Sequence, residues 1–367
     1  MTRFIFIFIF ILQPLIYFFG FEKYIFNPII LDLLIIFLFA INIFQTRLFP
    51  KTSAIYLLIG IFTTIMLFSL NSINNIFFME LKGILLISIG ILGSKTKINI
   101  DFFYNILIIY SVILITHILL NILGASYDRF TLALVSEINY DVALLILPLA
   151  FLKSIKYDNK KFIILFCFCF LISILSASRT AILSLILILI YGKINFKVLI
   201  KGSIFAYVIL SILIFLRGGL LNFVSIDRVL FILEFFEFAK DGFNLILPSQ
   251  IGEPLYLTSY IDQFTFYVDD MSNRNNVSGV FPFMYHSFIL RFIAQFGLFS
   301  FLLFVLILLK DLKKLKLFGL IILIYCLTLS FFYIASISCL TFILLRHLQN
   351  TNILINKSDI KNAFKKA

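Results

Sequence analysis

Residues 217–285, "RGGLLNFVSIDRVLFILEFFEFAKDGFNLILPSQIGEPLYLTSYIDQFTFYVDDMSNRNNVSGVFPFMY", followed by residues 286–304, "HSFILRFIAQFGLFSFLLF", decide how this chain is read. The first part carries glycines, prolines and charges and contains no obvious membrane span. The second is a long apolar run that opens at His286 and holds one arginine, Arg291. A site for chemistry is expected where the polar segment meets that run.

Outward from this stretch the chain is mostly apolar. It is 62% hydrophobic and 13% charged, with 48 Phe and no Trp, which is not the composition of a soluble domain. Its apolar runs are of roughly 15–25 residues, the length a helix needs to cross about 30 Å of hydrocarbon. The first run follows Met1-Thr2-Arg3 and is not followed by a small-residue cleavage site, so it reads as a helix and not as a signal peptide. Twelve spans are predicted, at 4–20, 28–44, 53–70, 80–94, 101–123, 131–152, 162–177, 180–191, 197–216, 287–309, 317–332 and 334–346. The expected fold class is an all-α polytopic membrane protein of about twelve transmembrane helices, with one large periplasmic loop between spans nine and ten. The expected divisions are a bundle at 1–216, the loop at 217–286, spans ten to twelve at 287–348, and a cytoplasmic tail at 349–367.

Lysine and arginine set the expected orientation. With the N-terminus inside, 21 of the 30 basic residues fall on the cytoplasmic side, including Arg3, Lys97, the cluster Lys153, Lys156, Lys160 and Lys161, and the tail lysines. Both termini are then cytoplasmic, and the localisation expected is a multi-pass bacterial inner membrane. The net charge of +12 is thereby a topology signal in contact with anionic lipid. No nucleic-acid partner is expected. The four cysteines sit in apolar runs and read as packing residues, without a disulfide framework or a thiolate metal site.

Within the loop a helix is predicted over 225–240, with Ser225 as N-cap. Its polar face is expected to hold Asp227, Glu234, Glu237 and Asp241, and its apolar face Ile226, Val229, Leu230 and Leu233. Ionisable groups near membrane depth are costly and need a partner or a function. Arg179 lies in the polar break Ser176–Thr180, where it either reaches head groups from a hairpin turn or binds an anion at a helix start. Arg217 ends the ninth span before two glycines. Arg291 sits inside the tenth span and needs a carboxylate, a water-filled cavity or an anionic ligand. Asp32, Glu80, Glu137 and Asp141 are its candidate partners. Arg179, Arg217, Arg228 and Arg291 together are cations on the outer side, and a lipid pyrophosphate would neutralise them if they converge. Arg274 in the "DDMSNRNN" turn is a further binding candidate, as is Asp227. No metal-binding motif is present: there is no H-E-x-x-H, and the adjacent Asp269 and Asp270 make a weak site alone. No cofactor is expected. A transporter or flippase is the main rival of another class, but it should place polar residues through both halves with signs of inverted repeats. Here the polar load is one-sided.

Three segments carry a resemblance: "SASRTAILSLIL", "SIDRVLFILEFFEFAKDG" and "YHSFILRFIAQFGLFSFLLF". In order and spacing they resemble the bacterial O-antigen ligase and polymerase superfamily, inner-membrane glycosyltransferases that use undecaprenyl-pyrophosphate-linked glycans. The resemblance maps Arg179 and Arg228 onto the family's basic positions and His286 onto its loop-end histidine; Arg217 is a looser match. It implies a repeat-unit polymerase, with a ligase that adds polymer to lipid A–core as the alternative. The implied reaction is metal-independent, inverting glycosyl transfer. His286, Arg291 and Arg228 would carry the chemistry, and Arg179, Arg217, Asp227 and Arg274 would bind pyrophosphate or glycan. His286 would act as general base or as a pyrophosphate ligand. Asp227 and Glu137 are candidate catalytic carboxylates. The implied partners are the undecaprenyl-pyrophosphate-linked oligosaccharide, membrane lipid and a chain-length regulator.

Overall fold

The computed structural model describes residues 1–21, 28–45, 82–83, 85–90, 97–124, 134, 138–176, 178–191, 227–240, 242–246, 253–255, 257–259, 261–262, 264–265, 268–269, 279–312 and 316–348. The predicted spans at 53–70 and 197–216 lie outside these residues, and the one at 80–94 lies within them only in part. The described elements are helical: α1 (Thr2–Phe18), α2 (Pro28–Gln45), α3 (Ile100–Leu123), α4 (Ile138–Ser154), α5 (Asn159–Leu175), α6 (Arg179–Ile190), α7 (Asp227–Ala239), α8 (Gly242–Ile246), α9 (Phe288–Leu312), α10 (Lys316–Thr328) and α11 (Ala335–Leu348).

Local chemistry sets several of the boundaries. Asn99 caps α3, its side-chain oxygen accepting from the Phe102 N–H at 3.1 Å. Asp158 caps α5 in the same way through the Lys161 N–H at 3.0 Å. Pro14 lacks a backbone N–H, and the turn before it, Phe8–Leu12, widens to π-helix. In α9, Gly297 has φ 78 and ψ 162, a conformation open to glycine alone at low cost, and the helix kinks there. The apolar run 317–348 breaks at Leu329–Ile334, where a short 3₁₀ turn, Phe331–Tyr333, separates α10 from α11.

These breaks overturn the expected architecture. Among the described residues, Ile100–Leu123 is the one helix long and apolar enough to cross a membrane. The other apolar helices offer segments of 10–17 residues, such as Arg179–Ile190 and Leu317–Thr328. A 12-residue helix is only about 18 Å long. Twelve membrane-length helices and a multi-pass inner-membrane topology are therefore not what these residues form. The expectation failed because unbroken apolarity along a sequence does not record where the backbone turns.

Two apolar clusters organise the packing. The larger is the bundle, centred on α4, every residue of which from Ile138 to Leu152 is buried. α4 packs on α5, α6 and α10, while α3 lies against α1 and α5. The second cluster is a cap over α9, built from Leu230, Phe231, Phe235 and Phe238 of α7 together with Leu255, Phe264, Val280, Phe281, Met284 and Tyr285. α9 is the wall between them. Phe288, Phe292 and Phe296 face the bundle, and Ile293 and Ala294 face the cap.

Candidate functional site

The break between α10 and α11 frees backbone polar groups inside an apolar surround, and each needs a partner. Side chains and backbone from three other places supply them. The Ser330 N–H donates to the Tyr140 hydroxyl of α4 at 3.0 Å, and the Ser330 hydroxyl donates to the Tyr285 carbonyl at 3.0 Å. The Phe288 N–H donates to the Leu329 carbonyl at 2.8 Å. The Ser287 hydroxyl donates to the Cys326 carbonyl at 3.3 Å. Beside this, the Ser178 hydroxyl donates to Asn139 Oδ1 at 3.0 Å, tying the start of α6 to the start of α4. The result is a polar seam at one end of the bundle, where the cap, α4, α6 and the 329–334 break meet.

Arg291 sits in the first turn of α9 at this seam and is 6% exposed. Its guanidinium carbon lies 3.6 Å from the centroid of the Tyr333 ring. The Tyr333 hydroxyl donates to Gln295 Oε1, one turn further along α9. Space for that ring comes partly from Gly83, where any side chain would run into Tyr333. Arginine over an aromatic face is stabilised by the ring quadrupole, more so when desolvated. Of the four carboxylates expected to pair with Arg291, Asp32 instead pairs with Lys82 at 2.5 Å. Asp141 accepts from the Leu134 N–H at 2.7 Å, and Glu80 and Glu137 lie outside the described residues.

Of the other predicted residues, His286 and Arg179 have described side chains. His286 is half-buried and stacks on Phe231 of α7, with 5.2 Å between ring centroids. The His286 ring thus meets the cap, whereas Arg291 lies over Tyr333 on the bundle side. Arg179 is the first residue of α6 and is exposed at the seam. Asp227 and Arg228 open α7, and their side chains lie outside what is described, as do Arg217 and Arg274 entirely. Among the described residues, no group of three or more His, Cys, Asp or Glu could hold a metal ion.

Glu234 is the residue that reading by periodicity misplaced. It was expected on the polar face of the loop helix, yet it is 0% exposed. The buried face of α7 is Leu230, Phe231, Glu234, Phe235 and Phe238, one step round from the face predicted. Glu234 accepts from the Ile261 N–H at 2.5 Å, and its second oxygen has no hydrogen-bond partner among the described residues. The Tyr285 hydroxyl, also buried and unpartnered, lies in its field. Burial holds the Glu234 carboxyl above the ordinary carboxylate range, and burial with Glu234 nearby raises Tyr285. Glu237, one turn on and part-buried, is lowered by Lys240 and by the Thr258 hydroxyl. The sequence signal that would have found Glu234 is the aromatic spacing Phe231, Phe235, Phe238 around it.

No protein-family model, curated protein or solved structure matches the chain. The resemblance to the O-antigen ligase and polymerase superfamily is therefore corrected, together with the polymerase, ligase and transporter assignments that rested on a many-span bundle.

Proposed function

We propose that this chain is a lipid-contacting protein, with acyl chains along the outer faces of the bundle and a phosphate-bearing head group at the polar seam. One observation carries the reading: the bundle helices are apolar outside as well as inside. Exposed residues recur at helical spacing as Ile30, Leu33, Leu34 and Phe37 on α2, Leu298, Leu302 and Leu306 on α9, and Leu320, Leu323 and Leu327 on α10. Phe299 is 74% exposed and Leu123 81%. A helix apolar all round belongs in an apolar environment. Exposure on this scale far exceeds the scattered apolar residues of an ordinary surface. It is spread over α2, α3, α5, α9 and α10, not gathered in one patch, which favours a fluid apolar coat over a single protein partner.

The seam supplies the polar side of the proposal. Arg179 is exposed at the N-terminus of α6, where helix N–H groups favour an anion, and half-buried His286 stands at the same end. A phosphate on a lipid is the anion such a coat would bring there.

Flotation with vesicles tests the reading. Full-length chain reconstituted with phosphatidylcholine vesicles is expected to float and to stay with them through an alkaline wash. Adding phosphatidic acid is expected to raise retention, and Arg179→Gln with His286→Ala to remove that increment while leaving flotation intact. Recovery of the chain as a monodisperse species without lipid or detergent would contradict the proposal.

A further inference from the structure

Glu234 is buried where three pieces of chain meet. α7 carries it, the Ile261 N–H donates to one of its oxygens at 2.5 Å, and Tyr285 ends the segment that leads into α9. Its second oxygen and the Tyr285 hydroxyl are both buried and, among the described residues, unpartnered. A neutral carboxyl can rest in such a place, whereas an ionised one needs several donors or a cation.

The surroundings supply neither. Phe231, Phe235 and Phe238 line the same face of α7. Lys240, just past the end of α7, is paired with Glu237. Among the described residues no ion pair forms with Glu234. The other titratable or charged side chains described on the elements around it are Glu253, the exposed Asp262 and Asp269, half-buried His286, and Arg291 of α9, whose guanidinium lies over Tyr333 on the bundle side. α8 carries none. Burial is the main cause that favours the neutral acid; the Ile261 N–H opposes it, the charge of Glu237 reinforces it, and that of Lys240 opposes it.

An independent observation is mechanical. The run 285–288 is gripped from both sides. On the cap side the Tyr285 ring meets Phe235 with 6.0 Å between centroids, and the His286 ring stacks on Phe231 at 5.2 Å. On the bundle side the Tyr285 carbonyl accepts from the Ser330 hydroxyl at 3.0 Å, the Ser287 hydroxyl donates to the Cys326 carbonyl at 3.3 Å, and the Phe288 N–H donates to the Leu329 carbonyl at 2.8 Å. Four consecutive residues thus join α7, which packs on α9, to the 329–334 break.

From the buried, half-partnered Glu234, the unpartnered Tyr285 hydroxyl and this double grip, we infer that Glu234 is a proton-operated latch between the cap and the seam. Protonated, it lets α7 lie closed on α9. Ionised, it draws α7 away toward water, and the run 285–288 loosens the hydrogen bonds at the break. The seam is then open at higher pH and closed at lower pH. The consequence for a lipid head group rests on the seam binding one, as proposed above; the latch itself does not.

Hydrogen exchange of the full-length chain in a neutral detergent tests this, read at the Phe288 and Ser330 amides and corrected for the intrinsic rate at each pH. The closed state holds the proton more tightly than the open one, so protection is full below the ordinary carboxylate range and is lost as pH rises through the raised value of Glu234. The expected fall is up to about tenfold per pH unit, the limit for one proton released on opening. Glu234→Gln is expected to keep the low-pH protection at every pH. Glu237→Gln, which frees Lys240, is expected to keep the direction and shrink the total fall. His286→Phe keeps a ring for Phe231 and cannot titrate, and it is expected to leave the slope in place. A flat wild-type profile, a slope that survives Glu234→Gln, or a slope lost in His286→Phe overturns the latch. No lipid is present in these measurements, so their outcome is separate from that of the vesicle flotation, which tests the head group.

Discussion

The bundle and the cap bury similar residues and treat their outsides differently. In the bundle, α9 buries Phe288 at 1% exposure and shows Phe299 at 74%, both aromatic. In the cap, α7 buries Phe231, Phe235 and Phe238 but turns Lys240 outward, and part-buried Glu237 pairs with Lys240 and accepts from the exposed Thr258 and Ser259 hydroxyls. The cap accordingly has an inside and an outside that water would recognise. The bundle has an inside defined by packing alone. In such a region the stabilising quantity is contact between well-fitted side chains, and the polar groups freed at helix breaks become the costly points.

The largest effect that would sharpen this contrast comes from one residue type on one helix. Phe288→Ala is expected to lower stability by about 3–5 kcal/mol, because Phe288 packs against Phe292, Phe304 and Phe332. Phe299→Ala is expected to change it by less than about 0.5 kcal/mol. Thermal unfolding in detergent measures both, and equal losses would break the distinction between packed inside and unpacked outside.

Next in size is the seam. Tyr140→Phe removes the acceptor of the buried Ser330 N–H and is expected to cost about 1–3 kcal/mol in the same assay. Arg291→Lys keeps the charge but loses the flat stacking on Tyr333, and about 1 kcal/mol is expected.

Helix formation was readable from long apolar runs, whereas the caps Asn99 and Asp158 emerge only from the structure. Helix length was not readable, because Gly297 and the break at 329–334 lie inside apolar stretches with no strong polar signal. The helix at α7 was readable because charges interrupt its apolar residues. Its buried face was misjudged because the acids were counted as outward by type, and Glu234 is held inside by the aromatic residues on either side of it. For the seam, Arg291 was legible as costly. Its resting place on Tyr333 was not, since that contact joins residues far apart in the chain. The roles assigned through resemblance rested on three short motifs.

The smallest expected effect separates the cap from the bundle by pH. Burial raises the Glu234 carboxyl, so its contribution to stability is full below the ordinary carboxylate range and is lost as pH rises through its raised value. Glu237 is lowered, so its contribution is present above that range and fades as pH falls through its lowered value. Glu234→Gln keeps an oxygen for the Ile261 N–H and cannot ionise. Melting of the cap, followed by hydrogen exchange at Ile261 between pH 5 and pH 8, is expected to show a loss of protection with rising pH that the variant abolishes. An unchanged slope in the variant would mean that Glu234 is not the titrating group.

What covers the outer faces of the bundle can be read directly. The chain contains no tryptophan, so a single inserted indole reports on its own surroundings. Phe299→Trp on α9 and Ser259→Trp on the cap should be compared in vesicles whose lipids carry brominated acyl chains. The indole at 299 is expected to be quenched by the bromolipid and shielded from aqueous iodide, with the reverse at 259. Quenching of the indole at 299 by iodide and not by bromolipid would show that water covers that face, and the lipid-contacting reading would fall.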